Sequence, residues 1–111
     1  RDYIHVMDLA EGHKAALETL RSQEPQHLTC NLGSGDGASV LDVVNAFSAA
    51  SGQDIPYALV DRRPGDAAVT VADPSRAADL LQWRTQRTLN DICRDGWAWQ
   101  QTNPMGYRQS A

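Results

Sequence analysis

Two capping boxes constrain the fold of this chain more than any other feature, because each one fixes where a helix begins. In a capping box, a Ser or Thr side chain and an acidic side chain three residues later satisfy each other's free backbone N–H groups. The pattern occurs twice, at Ser39 with Asp42 and at Thr88 with Asp91. Apolar residues at helical spacing follow both boxes, so the second and fourth of four helices are predicted there.

Two further helices are predicted from periodicity and from an Asp-Pro step. Apolar residues at helical spacing predict the first helix over about 6–21. Asp73 as the N-cap and Pro74 at the first helical position predict a short third helix, which runs to about Leu81. The stripe of the first helix that we expect to be buried is Val6, Leu9, Ala10, His13, Leu17 and Leu20.

Short apolar runs between the helices predict two strands, over 27–32 and 55–60. Each is followed by a loop, the first rich in glycine over 33–37 and the second charged over 61–66. The sum is a short α/β unit with few short strands and about four helices. It has too few strands for a complete doubly wound sheet.

Length and charge exclude several classes of protein. A chain of 111 residues is enough for a single domain with a modest core. A net charge of −4 with only ten Lys and Arg argues against binding to nucleic acid or to an anionic membrane surface. No apolar run approaches the roughly 20 residues of a membrane span, and no secretory signal opens the chain.

Two cysteines, Cys30 and Cys93, lie far apart in the sequence. Neither stands in a Cys-x-x-Cys or Cys/His pattern, so no zinc site is predicted. Buried free thiols in a reducing cytoplasm are the favoured interpretation, and a disulfide stays an alternative.

The glycine-rich loop can be read in two ways. Gly33, Gly35 and Ala38 have the spacing of a dinucleotide-binding fingerprint between a strand and a helix, where glycines let the backbone approach a pyrophosphate. The acidic residue that should follow is misplaced, because Asp54 precedes the second strand and Asp61 lies too far along. We therefore favour a tight strand-to-helix turn.

The loop over 61–66 is the stronger candidate site. Arg62 and Arg63 are adjacent in a Pro/Gly loop, and a guanidinium forms charge-assisted and often bidentate contacts with phosphate. Asp66 could accept hydrogen bonds from sugar hydroxyls. The alternative is a solvated surface loop with a local Arg–Asp pair.

Histidine and tryptophan side chains are interpreted as structural. His13 falls on the predicted apolar face of the first helix, and His5 stands at the entry of that helix. Trp83 and Trp97 invite a sugar-stacking interpretation, but core packing is the better one. No Ser/His/Asp triad, paired-carboxylate site or metal cluster can be assembled from the sequence.

Motifs along the whole chain resemble those of UDP-glucose 4-epimerases, which belong to the extended short-chain dehydrogenase/reductase superfamily. The resemblance begins in Arg-Asp-Tyr-Ile-His-Val-Met-Asp-Leu-Ala over 1–10 and continues through Asn-Leu-Gly over 31–33. It extends through Arg-Arg-Pro-Gly-Asp over 62–66 to Trp-x-Trp-Gln over 97–100. It ends in Asn-Pro-x-Gly-Tyr over 103–107.

The resemblance implies the C-terminal, substrate-binding portion of an extended Rossmann-type epimerase. Residues 1–111 would form that single portion. NAD would be bound mainly by an N-terminal domain that this chain does not include. The same domain would carry the Tyr-x-x-x-Lys pair that assists hydride removal. The missing initiator Met also predicts a fragment. The expected activity of the full-length protein, interconversion of UDP-galactose and UDP-glucose through a 4-keto intermediate, would be absent from the chain alone.

The resemblance also implies roles for single residues in binding the substrate. Arg1 and Arg63 resemble family arginines that contact the diphosphate, and Asp66 resembles the acid that holds the uridine ribose. Thr70 stands where many members carry a Tyr whose ring lies near C2 of the sugar, so it leaves the sugar specificity open. No catalytic, cofactor-binding or metal-binding residue is predicted.

Other functions stay open at this stage. The nearest alternative is a sibling nucleotide-sugar dehydratase or decarboxylase. A non-catalytic nucleotide-binding module that uses the Gly33 loop is another, and a domain without a ligand is a third. The full-length protein is expected to be a cytoplasmic homodimer, with no nucleic-acid or membrane partner.

Overall fold

Four α-helices form the regular structure of residues 1–107, and long irregular segments connect them. A computed structural model describes residues 1–107. The helices are α1 (Val6–Ser22), α2 (Val40–Ser51), α3 (Ser75–Leu81) and α4 (Leu89–Thr102). Each predicted helix is therefore present, within one residue of the expected ends.

Both capping boxes form as the sequence predicts. The Asp42 carboxylate accepts the Ser39 N–H at 2.8 Å, and the Ser39 hydroxyl accepts the Asp42 N–H at 3.1 Å. Thr88 and Asp91 repeat the arrangement at 2.8 and 3.3 Å. Hydrogen bonds from the capping residues lower the pKa of both carboxyl groups. Gly52 ends α2 with a φ of 68°, a left-handed conformation that favours glycine.

The start of α3 differs by one residue from the prediction. Pro74, not Asp73, is the N-cap, and the helix begins at Ser75. The Asp73 carboxylate still accepts the Ser75 N–H at 3.0 Å, so the expected side-chain cap is made two residues along the chain. Asp73 therefore supplies the predicted interaction from outside the helix.

The helices pack in two pairs, α1 with α3 and α2 with α4. The first pair contributes to a core of Ala77, Leu81 and Trp83. The second pair buries Ala46 of α2 and Cys93 of α4. The partly buried side chains that pack against the first core are Ile4, Ala15, Ala16, Cys30 and Leu32.

The buried face of α1 is not the predicted apolar stripe. Val6, Leu17 and Leu20 are 70%, 57% and 42% exposed, and His13 is exposed too. Asp8 and Gly12 are buried instead. A Cβ on Gly12 would stand 2.8 Å from a Leu32 methyl group, so glycine allows the chain to pack closely there. The predicted stripe is an apolar surface left uncovered by this chain.

The two predicted strands are irregular segments, and neither has a neighbouring strand in the described part of the chain. A strand is completed by hydrogen bonds to a second strand, which residues 1–107 do not place beside either segment. Leu32 at the end of the first segment packs on the core. Leu59 and Val60 in the second are 87% and 86% exposed.

Candidate functional site

Arg1, Arg63 and Asp66, which we call the Asp66 cluster, lie together at a surface cleft. A guanidinium nitrogen of Arg1 donates to the Asp66 carboxylate, and another donates to the Ala67 carbonyl at 2.8 Å. The loop folds back on itself, because the Asp66 N–H donates to the Arg63 carbonyl at 3.2 Å. The guanidinium of Arg63 stands 4.0 Å from the second Asp66 oxygen.

The cleft beside this cluster has a volume of about 410 Å³ and is lined by both Arg62 and Arg63. The side chain of Arg63 is 86% exposed, against 39% for Arg1 and 32% for Asp66. Arg1 is therefore already held by the protein, whereas Arg63 is accessible to a ligand. A guanidinium has five N–H donors, so Arg1 keeps donors beyond the two that it uses.

Thr70 lines a second cavity, of about 420 Å³, beside the cleft. Arg1 lines both cavities and so stands between them. The structure thus brings Arg1, Arg63 and Asp66 into one cleft and places Thr70 in the adjoining one. A ligand with a charged middle and two polar ends could extend across both.

The glycine-rich loop is a tight turn whose backbone donors face a carboxylate of the same chain. The N–H groups of Ser34 and Gly35 donate to Asp2 at 3.0 and 3.1 Å. A Cβ on Gly33 would lie 2.5 Å from the Ala72 side chain and 2.7 Å from an Asp2 oxygen. Glycine is therefore required for packing. The N–H groups that a pyrophosphate would need are already used.

A second group of charged side chains, which we call the Asp8 cluster, consists of Asp8, Glu11 and Arg87. The Asp8 side chain is fully buried and accepts the Arg87 N–H at 3.0 Å and its guanidinium. The Arg87 guanidinium also donates to Glu11 at 3.2 Å. The hydrogen bonds that Arg87 donates to Glu11 and then to Asp8 raise the pKa of Arg87. This cluster ties α1 to the segment before α4.

Sequence reasoning missed the Asp8 cluster, although one signal for it was present. Asp8 and Gly12 are four residues apart, so they share a helix face that carries no large apolar side chain. The Trp83 indole N–H donates to the Asp8 carbonyl at 3.0 Å, which fixes that tryptophan in the core as predicted.

The histidines have structural positions. His5 is buried and caps α1, accepting the Met7 N–H on Nδ1 at 3.0 Å, and its Nε2 lies 3.1 Å from Asp95. Because Nδ1 accepts, Nε2 carries the proton and donates to Asp95. Hydrogen bonds from Arg94 and then His5 lower the pKa of Asp95. The expectation that His13 is a core residue is wrong for this chain, since it is exposed.

Both cysteines are free thiols, as favoured from the sequence, but only Cys93 is buried and Cys30 is half-buried. Burial raises the pKa of Cys93, which makes it a poor nucleophile. Over residues 1–107, no three His, Cys, Asp or Glu side chains converge to hold a metal ion. Within the same range, no helix combines the length and apolar character needed to cross a bilayer.

Curated relatives share about half of their aligned residues with this chain. The chain is 49% identical over 110 residues to a UDP-glucose 4-epimerase of Dictyostelium discoideum, covering 99% of the chain and 32% of that relative. It is 48% identical over 110 residues to a UDP-glucose 4-epimerase of Bacillus subtilis, with the same coverage of 99% and 32%. The chain therefore spans about a third of the length of these relatives. No protein-family profile matches it.

Solved structures agree with the curated relatives. A UDP-glucose 4-epimerase of Stenotrophomonas maltophila with bound NAD and formylated UDP-arabinopyranose superposes with a TM-score of 0.88 at 46% identity, covering 94% of this chain and 31% of that one. A UDP-Glc/GlcNAc 4-epimerase of Campylobacter jejuni superposes with a TM-score of 0.80 at 36% identity, covering 92% and 31%. The irregular connections of the chain are thus those of part of a larger fold.

Proposed function

We propose that this chain, which is similar over its whole length to UDP-glucose 4-epimerases, is the C-terminal, UDP-sugar-binding portion of such an enzyme. The full-length protein would interconvert UDP-galactose and UDP-glucose through a 4-keto intermediate. The chain spans about a third of its relatives, so the activity is proposed for the full-length protein and not for this portion.

The observation that carries the proposal is the arrangement of the Asp66 cluster. A nucleoside diphosphate needs positively charged donors for its phosphates and a fixed acceptor for its ribose hydroxyls. The guanidinium groups of Arg1 and Arg63 supply the donors at the cleft, and Asp66 lies between them. In this proposal Arg63, the most exposed of the three, swings onto the diphosphate when the ligand enters.

Asp66 has the ribose as its proposed partner. Arg1 already holds one of its oxygens, while the other lies 4.0 Å from Arg63. A carboxylate with an oxygen still able to accept is suited to a hydroxyl pair. Arg1 would then serve twice, fixing the Asp66 carboxylate and presenting its remaining donors to the diphosphate.

Thr70 is proposed to face the hexose. It lines the cavity on the other side of Arg1 from the cleft, so a UDP-sugar that crosses Arg1 would reach it. A small hydroxyl side chain there leaves room for a 2-acetamido group that a tyrosine ring would crowd. The proposed substrates therefore include UDP-N-acetylglucosamine and UDP-N-acetylgalactosamine.

NAD would supply the hydride transfer from a domain beyond this chain. The described residues do not fit the cofactor, because the Gly33 turn spends its N–H groups on Asp2. No hydride or proton step is therefore assigned to this chain. A cytoplasmic homodimer is the proposed state of the full-length protein.

Calorimetry on the full-length protein tests the binding proposal. Arg63→Ala should weaken UDP-galactose binding by about ten- to hundredfold, the scale of a hydrogen bond to a charged group. Arg62→Ala is the matched control, because the neighbouring side chain lines the same cleft but lies outside the Asp66 cluster. Equal small losses in both variants would leave Arg63 as an ordinary surface residue and remove the proposal.

Activity of the isolated chain separates binding from chemistry. Assayed with UDP-galactose and NAD, residues 1–111 should give no turnover, because the chain carries no Tyr-x-x-x-Lys pair. The chain should also be marginally stable, since the apolar stripe of α1 is exposed. Turnover above background, with the full-length enzyme as positive control, would contradict this division of roles.

A further inference from the structure

Asp2 receives four hydrogen bonds from two separate segments, which no sequence pattern predicted. Its Oδ1 accepts the Ser34 N–H at 3.0 Å and the Ser34 hydroxyl at 2.6 Å. Its Oδ2 accepts the N–H groups of Gly35 at 3.1 Å and of Ala72 at 3.2 Å. One carboxylate therefore joins the Gly33 turn to the far end of the segment over 66–72.

The surroundings of Asp2 suit a carboxylate, because a carboxylate is charged and only accepts hydrogen bonds. Burial raises the pKa of Asp2, but the hydrogen bonds from Ser34, Gly35 and Ala72 together hold that pKa below its ordinary value. All four groups around the carboxylate are donors, so an amide nitrogen in place of either oxygen would face a donor. The missing Cβ of Gly33 gives the Ala72 side chain and the carboxylate their room.

Arg1, the neighbour of Asp2, holds the other end of the same segment. The Arg1 backbone exchanges two hydrogen bonds with Ala38, at 2.9 and 2.8 Å. Its guanidinium contacts Asp66 and the Ala67 carbonyl. Arg1 and Asp2 thus hold the two ends of the segment over 66–72 by hydrogen bonds, and Thr70 lies between those ends.

We propose that Asp2 is a positioning residue for UDP-sugar binding, which sets the spacing between the Asp66 cluster and Thr70 by clamping Ala72 to the Gly33 turn. The inference rests on the proposed function. Asp2 touches no substrate in this scheme. It acts through Arg1 and through the backbone of the segment over 66–72, whose two ends serve the nucleotide and the hexose.

Asp2→Asn in the full-length protein is the central test. The side chain keeps its shape, but one of its two acceptor oxygens becomes a donor. The expected result is a KM for UDP-galactose raised by about tenfold with kcat changed by less than about threefold, since the loss falls on binding. A purely structural role would lower Tm and the active fraction while leaving the KM of the folded enzyme unchanged, and that outcome overturns the inference.

Two matched variants keep the test decisive. Asp36→Asn changes an exposed carboxylate in the same turn and should leave KM unchanged. Ser34→Ala removes one of the four donors to Asp2, so it should fold even where Asp2→Asn does not. An unchanged KM in a folded Ser34→Ala enzyme would also overturn the inference.

Coupling to Arg1 is measured by adding Arg1→Ala. If Asp2 acts through Arg1, the effect of Asp2→Asn on KM should shrink in that background, whereas independent effects would multiply and contradict the mechanism. Arg63→Ala separates this inference from the proposed function. If Arg63→Ala loses binding while Asp2→Asn keeps an unaltered KM, only the positioning role of Asp2 is contradicted. If Arg63→Ala binds UDP-galactose as the wild type does, the proposed function itself is contradicted.

Discussion

The Asp8 cluster and the Asp66 cluster are built from the same chemical groups, yet their surroundings give them opposite uses. In the Asp8 cluster the carboxylate is fully buried and the Arg87 side chain is 30% exposed. In the Asp66 cluster the carboxylate is 32% exposed and Arg63 is 86% exposed. Both join a carboxylate to arginine across a long stretch of sequence. They differ in how much water reaches them.

Exposure decides what each cluster can do. A buried carboxylate must have all of its hydrogen bonds made within the protein, because an unmet one costs stability. Asp8 accepts three hydrogen bonds from Gln86 and Arg87 and is fully buried, so a ligand cannot reach it. A half-exposed carboxylate can exchange a weak partner for a ligand at little cost. The Asp66 cluster is therefore free to serve binding.

The largest effect is expected from Asp8→Ala. It should cost about 1–3 kcal/mol of folding free energy for each of the two part-buried backbone N–H groups, of Gln86 and Arg87, that it leaves without an acceptor. Thermal unfolding of the full-length protein, followed by circular dichroism, measures it. Asp66→Ala serves as the contrast, with a Tm near that of the wild type. If the two variants shifted Tm equally, the division between a folding cluster and a binding cluster would be wrong.

A selective effect on substrate is expected from Thr70→Tyr. Forcing a ring into an occupied cavity costs about 1–3 kcal/mol, so the full-length enzyme should lose about ten- to a hundredfold in kcat/KM for the 2-acetamido sugar while keeping UDP-galactose activity. Measuring kcat/KM for both substrates in both proteins decides it. A wild type that is inactive towards the acetamido sugar would end the idea, as would an unchanged ratio in the variant.

Acid should weaken the capping boxes. The pKa values of Asp42 and Asp91 lie below their ordinary value of 3.8 in the folded chain, so the folded state binds fewer protons than the unfolded state near that pH. Their stabilisation is fully present above about pH 4 and is lost as pH falls through the lowered values. Asp91→Asn should flatten this acid limb in unfolding curves recorded between about pH 2 and 5. A limb identical to that of the wild type would contradict the assignment.

The smallest effect is expected from Glu11→Gln. Glu11 shares Arg87 with Asp8 but is 45% exposed, so the pair should be worth less than about 1 kcal/mol. Urea unfolding beside Asp8→Ala measures the ratio within one cluster. A loss as large as that of Asp8→Ala would show that burial is not what separates the two carboxylates.

Local patterns predicted the helices well and the buried faces poorly. The capping boxes at Ser39 and Thr88 fixed their helix starts, since both partners lie within four residues. The stripe of α1 was assigned to the wrong side because periodicity shows which residues share a face but not what covers that face. Here Gly12 and Asp8 face the core, while Val6 and Leu17 stay exposed.

The candidate site divides in the same way. The adjacent arginines over 62–63 and the acid at 66 marked the loop from its composition alone, and the motif resemblance added Arg1. The sequence did not reveal that Arg1 and Asp66 meet, because 65 residues separate them. It also gave no sign that Asp2 closes the Gly33 turn.

Helix ends, turns and the charged loop were determined by the sequence itself, because each depends on interactions between residues a few positions apart. The tertiary structure alone decided which carboxylate is buried and which meets water. That outcome depends on Arg87 reaching Asp8 and Arg1 reaching Asp66, contacts made across more than half of the chain. Two Arg–Asp pairs that look alike in the sequence are separated by what packs around them.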